Sequence, residues 1–140
     1  MKLKEIYQFF QTPQPNFLSQ ELAVCYVMSV LLQGDSYGAE LIKQLENDYP
    51  NYRLSDTILQ NTLKLLESER AISSSWKRVE KRGRGRPRRM YHLSPEWSEQ
   101  AAELARLWQE YSLSYSRNYE VLQKIKPKFE HHDLQLSRLT

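Results

Sequence analysis

Residues 22–32 read LAVCYVMSVLL, a nearly apolar run without a single charged side chain. Wound as an α-helix, this segment is apolar on nearly every side, and a helix without a wet face has to be enclosed by the rest of its chain. The run is too short to cross a bilayer. It starts too late, and lies too close to Glu21, for a secretory leader. The 140-residue chain is therefore expected to be soluble and cytoplasmic, folding as one unit around this helix. A hydrophobic content of 40% excludes a disordered chain. The single cysteine, Cys25, excludes an internal disulfide framework and reads as a buried, inert thiol.

The segments on either side supply the covering. Leu3, Ile6, Tyr7 and Phe10 fall at helical spacing before a break at Pro13 and Pro15. Ser19 is placed to cap the central helix and Gly34 to stop it. Ser36 is expected to cap a third helix over about residues 37–48, with Leu41, Ile42 and Leu45 inward and Tyr49-Pro50 at its end. Ser55 opens a fourth helix reaching about Glu69, and here two faces separate. Leu59, Leu63 and Leu66, flanked by Ile58 and Leu65, form the inner stripe; Thr57, Gln60, Asn61 and Lys64 fall on the outer side. Amide, hydroxyl and ammonium groups on one face can donate and accept hydrogen bonds at base edges and phosphates in a major groove.

From Ile72 the period changes. ISSSWKRV and RRMYHL have the character of two strands, and between them Gly83, Gly85 and Pro87 break the chain, so a hairpin with a long tip is expected. Charge concentrates there. Residues 77–89 hold eight cations against one acid, Glu80, a net +7, while the rest of the chain carries −4. A mildly acidic body bearing one dense basic patch suits a polyanionic partner, nucleic acid above all. Within the patch, Arg84-Gly85-Arg86-Pro87 has the core of an AT-hook, in which an extended backbone directs two arginines into a narrow minor groove. Lys77, Arg82, Arg88 and Arg89 are then placed to neutralise phosphates. Helices followed by a hairpin, with a polar-faced helix just before it, is the winged helix-turn-helix order.

The last long segment opens at Ser94-Pro95-Glu96, read as a capped helix running to about Lys126 and stopped by Pro127. Trp97, Ala101, Leu104, Trp108, Tyr111, Tyr115, Asn118 and Leu122 repeat as a heptad seam. At 1.5 Å per residue the helix is roughly 45 Å long, more than a small wing domain covers. The seam is expected to pair with a second copy of the chain, rather than with the chain's own first helix. The resulting division is an N-terminal helix and linker (1–16), a winged helix-turn-helix (17–94), a dimerisation helix (95–126) and a mobile tail (127–140). The fold class is mainly α with a small β-hairpin wing.

An enzyme is not expected. The chain has no Gly-rich phosphate loop, no metalloprotease helix motif and no nucleophile elbow, and it suggests no cofactor. His131-His132-Asp133 lacks further ligands, so no metal site is expected. His92 reads as structural or phosphate-facing rather than as a base.

LLQGDSYGAELIKQL, LSDTILQNTLKLLESERAI and GRPRRMYHLSPEW together resemble the PadR family of bacterial transcriptional regulators over about residues 20–97. The Ser36-Tyr37-Gly38 and Arg86-Pro87…Tyr91 motifs carry the resemblance most specifically. It implies a homodimeric winged-helix repressor binding a promoter and, in a member that the chain looks like, a promoter of the circadian clock. Two positions depart from the family pattern: Gln60 replaces a common tyrosine, and Arg70 stands where a glycine is usual before the wing.

The expected function is thus sequence-specific binding of double-stranded DNA at a pseudo-palindrome. Ser55, Thr57, Gln60, Asn61 and Lys64 would face the major groove and Arg84 and Arg86 the minor groove. Other readings stay open: an AT-hook-like architectural protein with little selectivity, an RNA-binding wing, or a dimeric protein-binding adaptor. No effector site is legible.

Overall fold

The computed structural model describes residues 2–11, 15–78 and 87–131, with backbone alone for 9–11 and 115–131. The elements are α1 (Leu3–Gln11), β1 (Asn16–Phe17), α2 (Gln20–Gln33), β2 (Ser36–Tyr37), α3 (Gly38–Asp48), β3 (Tyr52–Arg53), α4 (Asp56–Ser68), β4 (Ile72–Arg78), β5 (Pro87–Leu93) and α5 (Ser98–His131), the last preceded by a 3₁₀ turn, Pro95–Trp97. Ser19 and Ser55 begin α2 and α4 as expected. Their Oγ atoms accept the backbone N–H of Leu22 at 3.3 Å and of Ile58 at 3.1 Å.

The apolar helix α2 lies at the centre, with α4 and α5 packed along it. Ala23, Tyr26, Val27, Met28 and Leu31 are buried there with Leu41, Leu45, Leu59 and Leu63 from α3 and α4. Each such aliphatic side chain contributes about 1.5–3 kcal/mol relative to exposure. Tyr26 is the polar exception. Its hydroxyl donates to the Leu41 carbonyl at 2.6 Å, which satisfies a buried donor and ties α2 to α3. Cys25 is half-buried, and desolvation pushes its thiol up from the usual range, as suits an inert group.

The heptad seam behaves differently from the expectation. Ala101 and Trp108 are completely buried within the single chain, and Trp97 and Leu104 pack partly buried on the same core. Trp108 stands edge-on to three tyrosine rings, with centroid distances of 5.6 Å to Tyr26, 5.0 Å to Tyr49 and 5.3 Å to Tyr52. Tyr111, 5.9 Å from Tyr52, closes the cluster with one side exposed. A 3-4 spacing fits any neighbouring helix, and here α2 takes the first half of the seam. Ala101 and Trp108 are therefore not dimer-interface residues. The side chains of Tyr115 and Leu122 lie outside the described residues. α1 also packs on α5.

Three smaller corrections concern helix ends. Ser36 does not cap α3: it is a strand residue, paired with Tyr91, and α3 is preceded by Tyr37, whose hydroxyl donates to Glu40 Oε2 at 3.3 Å. Ser94 makes no side-chain cap either, because its Oγ donates to the Arg70 carbonyl at 2.9 Å. Nor does Pro127 end α5, which continues to His131. A proline removes one N–H donor from the ladder and bends a helix without always ending it.

Two short ladders were not foreseen. β1 and β3 pair in parallel, Asn16 with Tyr52 and Phe17 with Arg53. β2 adds to the hairpin, giving an antiparallel sheet in the order β2-β5-β4.

Candidate nucleic-acid interface

The site starts at the C-terminus of α4, where the chain must turn sharply into β4. Arg70 makes that turn with φ 60°, a left-handed conformation rare for a residue with a Cβ. The Ala71 N–H reaches the Leu66 carbonyl at 2.9 Å and the Arg70 N–H the Glu67 carbonyl at 3.0 Å, the paired bonds of a Schellman cap. This explains the glycine that the family pattern usually places here. Ser94 N–H closes on the Ala71 carbonyl at 2.9 Å, so both ends of the hairpin are anchored at one point just beyond α4.

From there the hairpin keeps an in-register ladder from Ile72↔Leu93 to Arg78↔Pro87. Alternation sends Ile72, Ser74 and Trp76, with their partners Leu93, Tyr91 and Arg89, to one face. Ile72 and Tyr91 are buried against the helices. Next along that face, Arg89 Nε donates to Ser74 Oγ at 2.9 Å and Arg89 Nη2 reaches Glu67 Oε2 at 3.3 Å, while Ser74 Oγ also donates to Glu67 Oε2 at 3.3 Å. A carboxylate of α4 is thereby bound to both strands. Burial raises the Tyr91 phenol; Arg89 opposes that rise and Glu67 adds to it.

The other face has its own fastening. His92 Nδ1 lies 2.8 Å from Asp35 Oδ2, and His92 Nε2 lies 2.8 Å from Ser75 Oγ. An N–H on Nδ1 donating to the carboxylate leaves Nε2 to accept from the serine. The connectivity is that of a Ser–His–Asp relay, yet Ser75 is exposed on the open side of the sheet, and the contacts join the loop before β2 to both hairpin strands. His92 is structural here.

Thr57, Gln60, Asn61 and Lys64 are all exposed on α4, as the helical pattern predicts, and Ser55 sits half-exposed at its start. Between this helix and the sheet runs a groove of about 350 Å³, lined by Tyr37, Gly38, Gln60, Trp76, Arg88, Arg89 and Tyr91. Gln60 thus faces the wing across a shared space. Arg88 lies flat on Tyr37, its Cζ 3.8 Å from the ring centroid, a cation–π contact that holds the guanidinium at the rim. Lys77 is exposed opposite Arg88 on the outer face of the hairpin. Arg89 is already paired with Glu67 and acts as a tie between helix and wing. Arg82, Arg84 and Arg86 lie outside the described residues.

Sequence reasoning overlooked three participants: Glu67, Tyr37 and Trp76. Trp76 had a readable signal, its register with Ile72 and Ser74 on the inward face. Among the described residues no cluster of three metal-ligating side chains occurs, and no helix is long and apolar enough to cross a membrane.

Residues 27–103 match the transcriptional regulator PadR-like family. The structure is similar to the circadian clock associated protein Pex from Anabaena, with 59% identity and a TM-score of 0.73, over 84% of this chain and 99% of that one. It is similar to Pex from Synechococcus as well, with 57% identity and a TM-score of 0.73, over 79% of this chain and 97% of that one. The Streptococcus mutans protein smu.1704, 21% identical with a TM-score of 0.57 over 78% of this chain and 94% of that one, shares the fold. Comparison with curated proteins gives no match.

Proposed function

The chain belongs to the PadR-like family of transcriptional regulators, DNA-binding proteins, and from that premise we propose that it is a homodimeric, sequence-specific repressor of a promoter. α4 would lie in a major groove with Thr57, Gln60, Asn61 and Lys64 towards bases and phosphates, and Arg84 and Arg86 would enter the adjacent minor groove. Lys77, Arg82 and Arg88 would meet phosphates. The observation that carries this reading is the groove in which Gln60 of α4 faces Arg88 and Arg89 of the wing, so that helix and hairpin address one object.

Similarity to the circadian clock associated protein Pex from Anabaena supports a clock gene as the target, and binding to a promoter would place the protein in the cytoplasm, at the nucleoid. Dimerisation would use the part of α5 that the chain leaves open, where Leu107, Tyr111 and Leu113 are 42%, 44% and 58% exposed. A two-fold pair would read half-sites about one helical turn, or a multiple of it, apart.

Footprinting on the chain's own genomic promoters tests the proposal. Two protected half-sites with dyad symmetry are expected. Uniform protection of A·T-rich DNA without preferred sites would replace it with an architectural role.

A further inference from the structure

We infer that the groove between α4 and the hairpin seats one sugar–phosphate strand of the duplex, and that Trp76 is the apolar wall against which a deoxyribose packs. This rests on the DNA-binding reading and adds a contact that charge alone does not supply.

The argument begins with a residue on the wrong side of its strand. In β4 the inward face carries Ile72, Ser74 and Trp76. Ile72 is 3% exposed, whereas Trp76, the largest side chain on that face, is 68% exposed. No helix among the described residues covers it, and the indole overhangs the groove it helps to line. A large exposed aromatic that points inward, beside paired cations, marks a surface completed by a partner.

Charge identifies the partner. Arg88 stands at the rim on Tyr37, and Lys64 is exposed on α4. Among the described residues, the Glu67 carboxylate beside the groove is neutralised by Arg89, whose guanidinium lies 5.6 Å from the Trp76 ring centroid, and the Glu40 carboxylate accepts from the Tyr37 hydroxyl. The arrangement suits a strand that alternates anionic and apolar groups, as phosphate and sugar do. Position agrees. Trp76 lies along the hairpin between the recognition helix and residues 79–86, the segment proposed for the minor groove. Adjacent major and minor grooves are separated by one backbone ridge, and the middle of the wing has to cross it.

Tryptophan makes the test direct, because Trp108 is buried and Trp97 half-buried, leaving Trp76 as the exposed indole. Intrinsic fluorescence with acrylamide quenching is followed while an A·T-rich duplex is titrated in. Saturating duplex is expected to remove most of the quenchable fraction in the wild type and to leave Trp76→Phe emission unchanged. Trp76→Ser is expected to bind about tenfold more weakly, with an unaltered melting temperature and an unaltered dependence on salt, since apolar area and no charge is lost. Uracil in place of thymine should leave wild-type affinity unchanged.

Wild-type affinity in Trp76→Ser, or an indole still quenched at saturation, overturns the inference while leaving DNA binding intact. Loss with the uracil duplex comparable to that of Trp76→Ser moves the contact to the thymine methyl and overturns the sugar placement. Absence of any duplex binding by the wild type removes the functional reading and the inference together.

Discussion

Arg89 in the second hairpin strand and Glu67 in the preceding helix meet at 3.3 Å, with the Ser74 hydroxyl bonded to both. This pair spans the junction where α4 is set against the hairpin, and it lies at the foot of the groove proposed to hold DNA. In a double-mutant cycle with Glu67→Gln and Arg89→Gln, urea unfolding should give a coupling of about 0.5–1 kcal/mol, the range for a partly exposed pair. Additive losses would show that the two side chains act independently.

Arg70 offers the opposite sign. Its φ of 60° carries a steric cost that glycine does not, so Arg70→Gly should raise stability by about 1 kcal/mol. The urea midpoint measures this, and a fall in the midpoint would mean that the arginine side chain contributes more than its backbone costs.

Trp108 is the joint between α5 and the rest of the core. Trp108→Ala should destabilise by about 3–5 kcal/mol, whereas Leu113→Ala, on an exposed part of α5, should leave the monomer's stability nearly unchanged. Thermal melts compare the two; equal losses would contradict the packing of α5 on α2.

How much of this was legible beforehand depends on how many residues carried each signal. The three helices of the winged domain and its hairpin show their periods over several residues each, and every one appears near its expected place. The two-residue strands Ser36–Tyr37 and Tyr52–Arg53 carry no period at all; their partners, Tyr91–Met90 and Asn16–Phe17, lie far away in the chain. The seam from Trp97 to Tyr111 was readable as a buried stripe but ambiguous as to what buries it, because α2 and a second copy satisfy the same spacing. In the interface, exposed polar positions on α4 followed from the inner leucines. The fastening of Arg89 by Glu67 did not, since a salt bridge between a helix and a strand leaves no pattern in either.

Tyr26 gives the molecule an alkaline limit. Burial, followed by the nearby Asp48 charge, pushes its phenol well above the ordinary value of 10.0. The unfolded chain therefore releases this proton first. Stability from Tyr26 is complete below about pH 10 and is lost progressively as pH rises above it. Tyrosinate absorbance should show that the Tyr26 phenol ionises only with unfolding, and Tyr26→Phe should remove that contribution at a cost near 1 kcal/mol at neutral pH.

For binding, about six phosphate contacts in a dimer predict that the logarithm of affinity falls with that of salt at a slope near −5. A slope shallower than about −2 would count against the wing as the main electrostatic contact. Arg84→Ala with Arg86→Ala should lower affinity at least tenfold or so, most on A·T-rich flanks, and equal binding by that variant would remove the minor-groove contact.

The hairpin is fastened on both faces, by Glu67 and Arg89 on one and by Asp35, His92 and Ser75 on the other. A ribbon braced in this way resists the hinge motion that an unbraced hairpin would allow, and its distance from the helix works as a fixed gauge. If a double helix binds there as proposed, it would have to do the bending itself, which would let the protein prefer one site over another by pliability at base pairs it never touches.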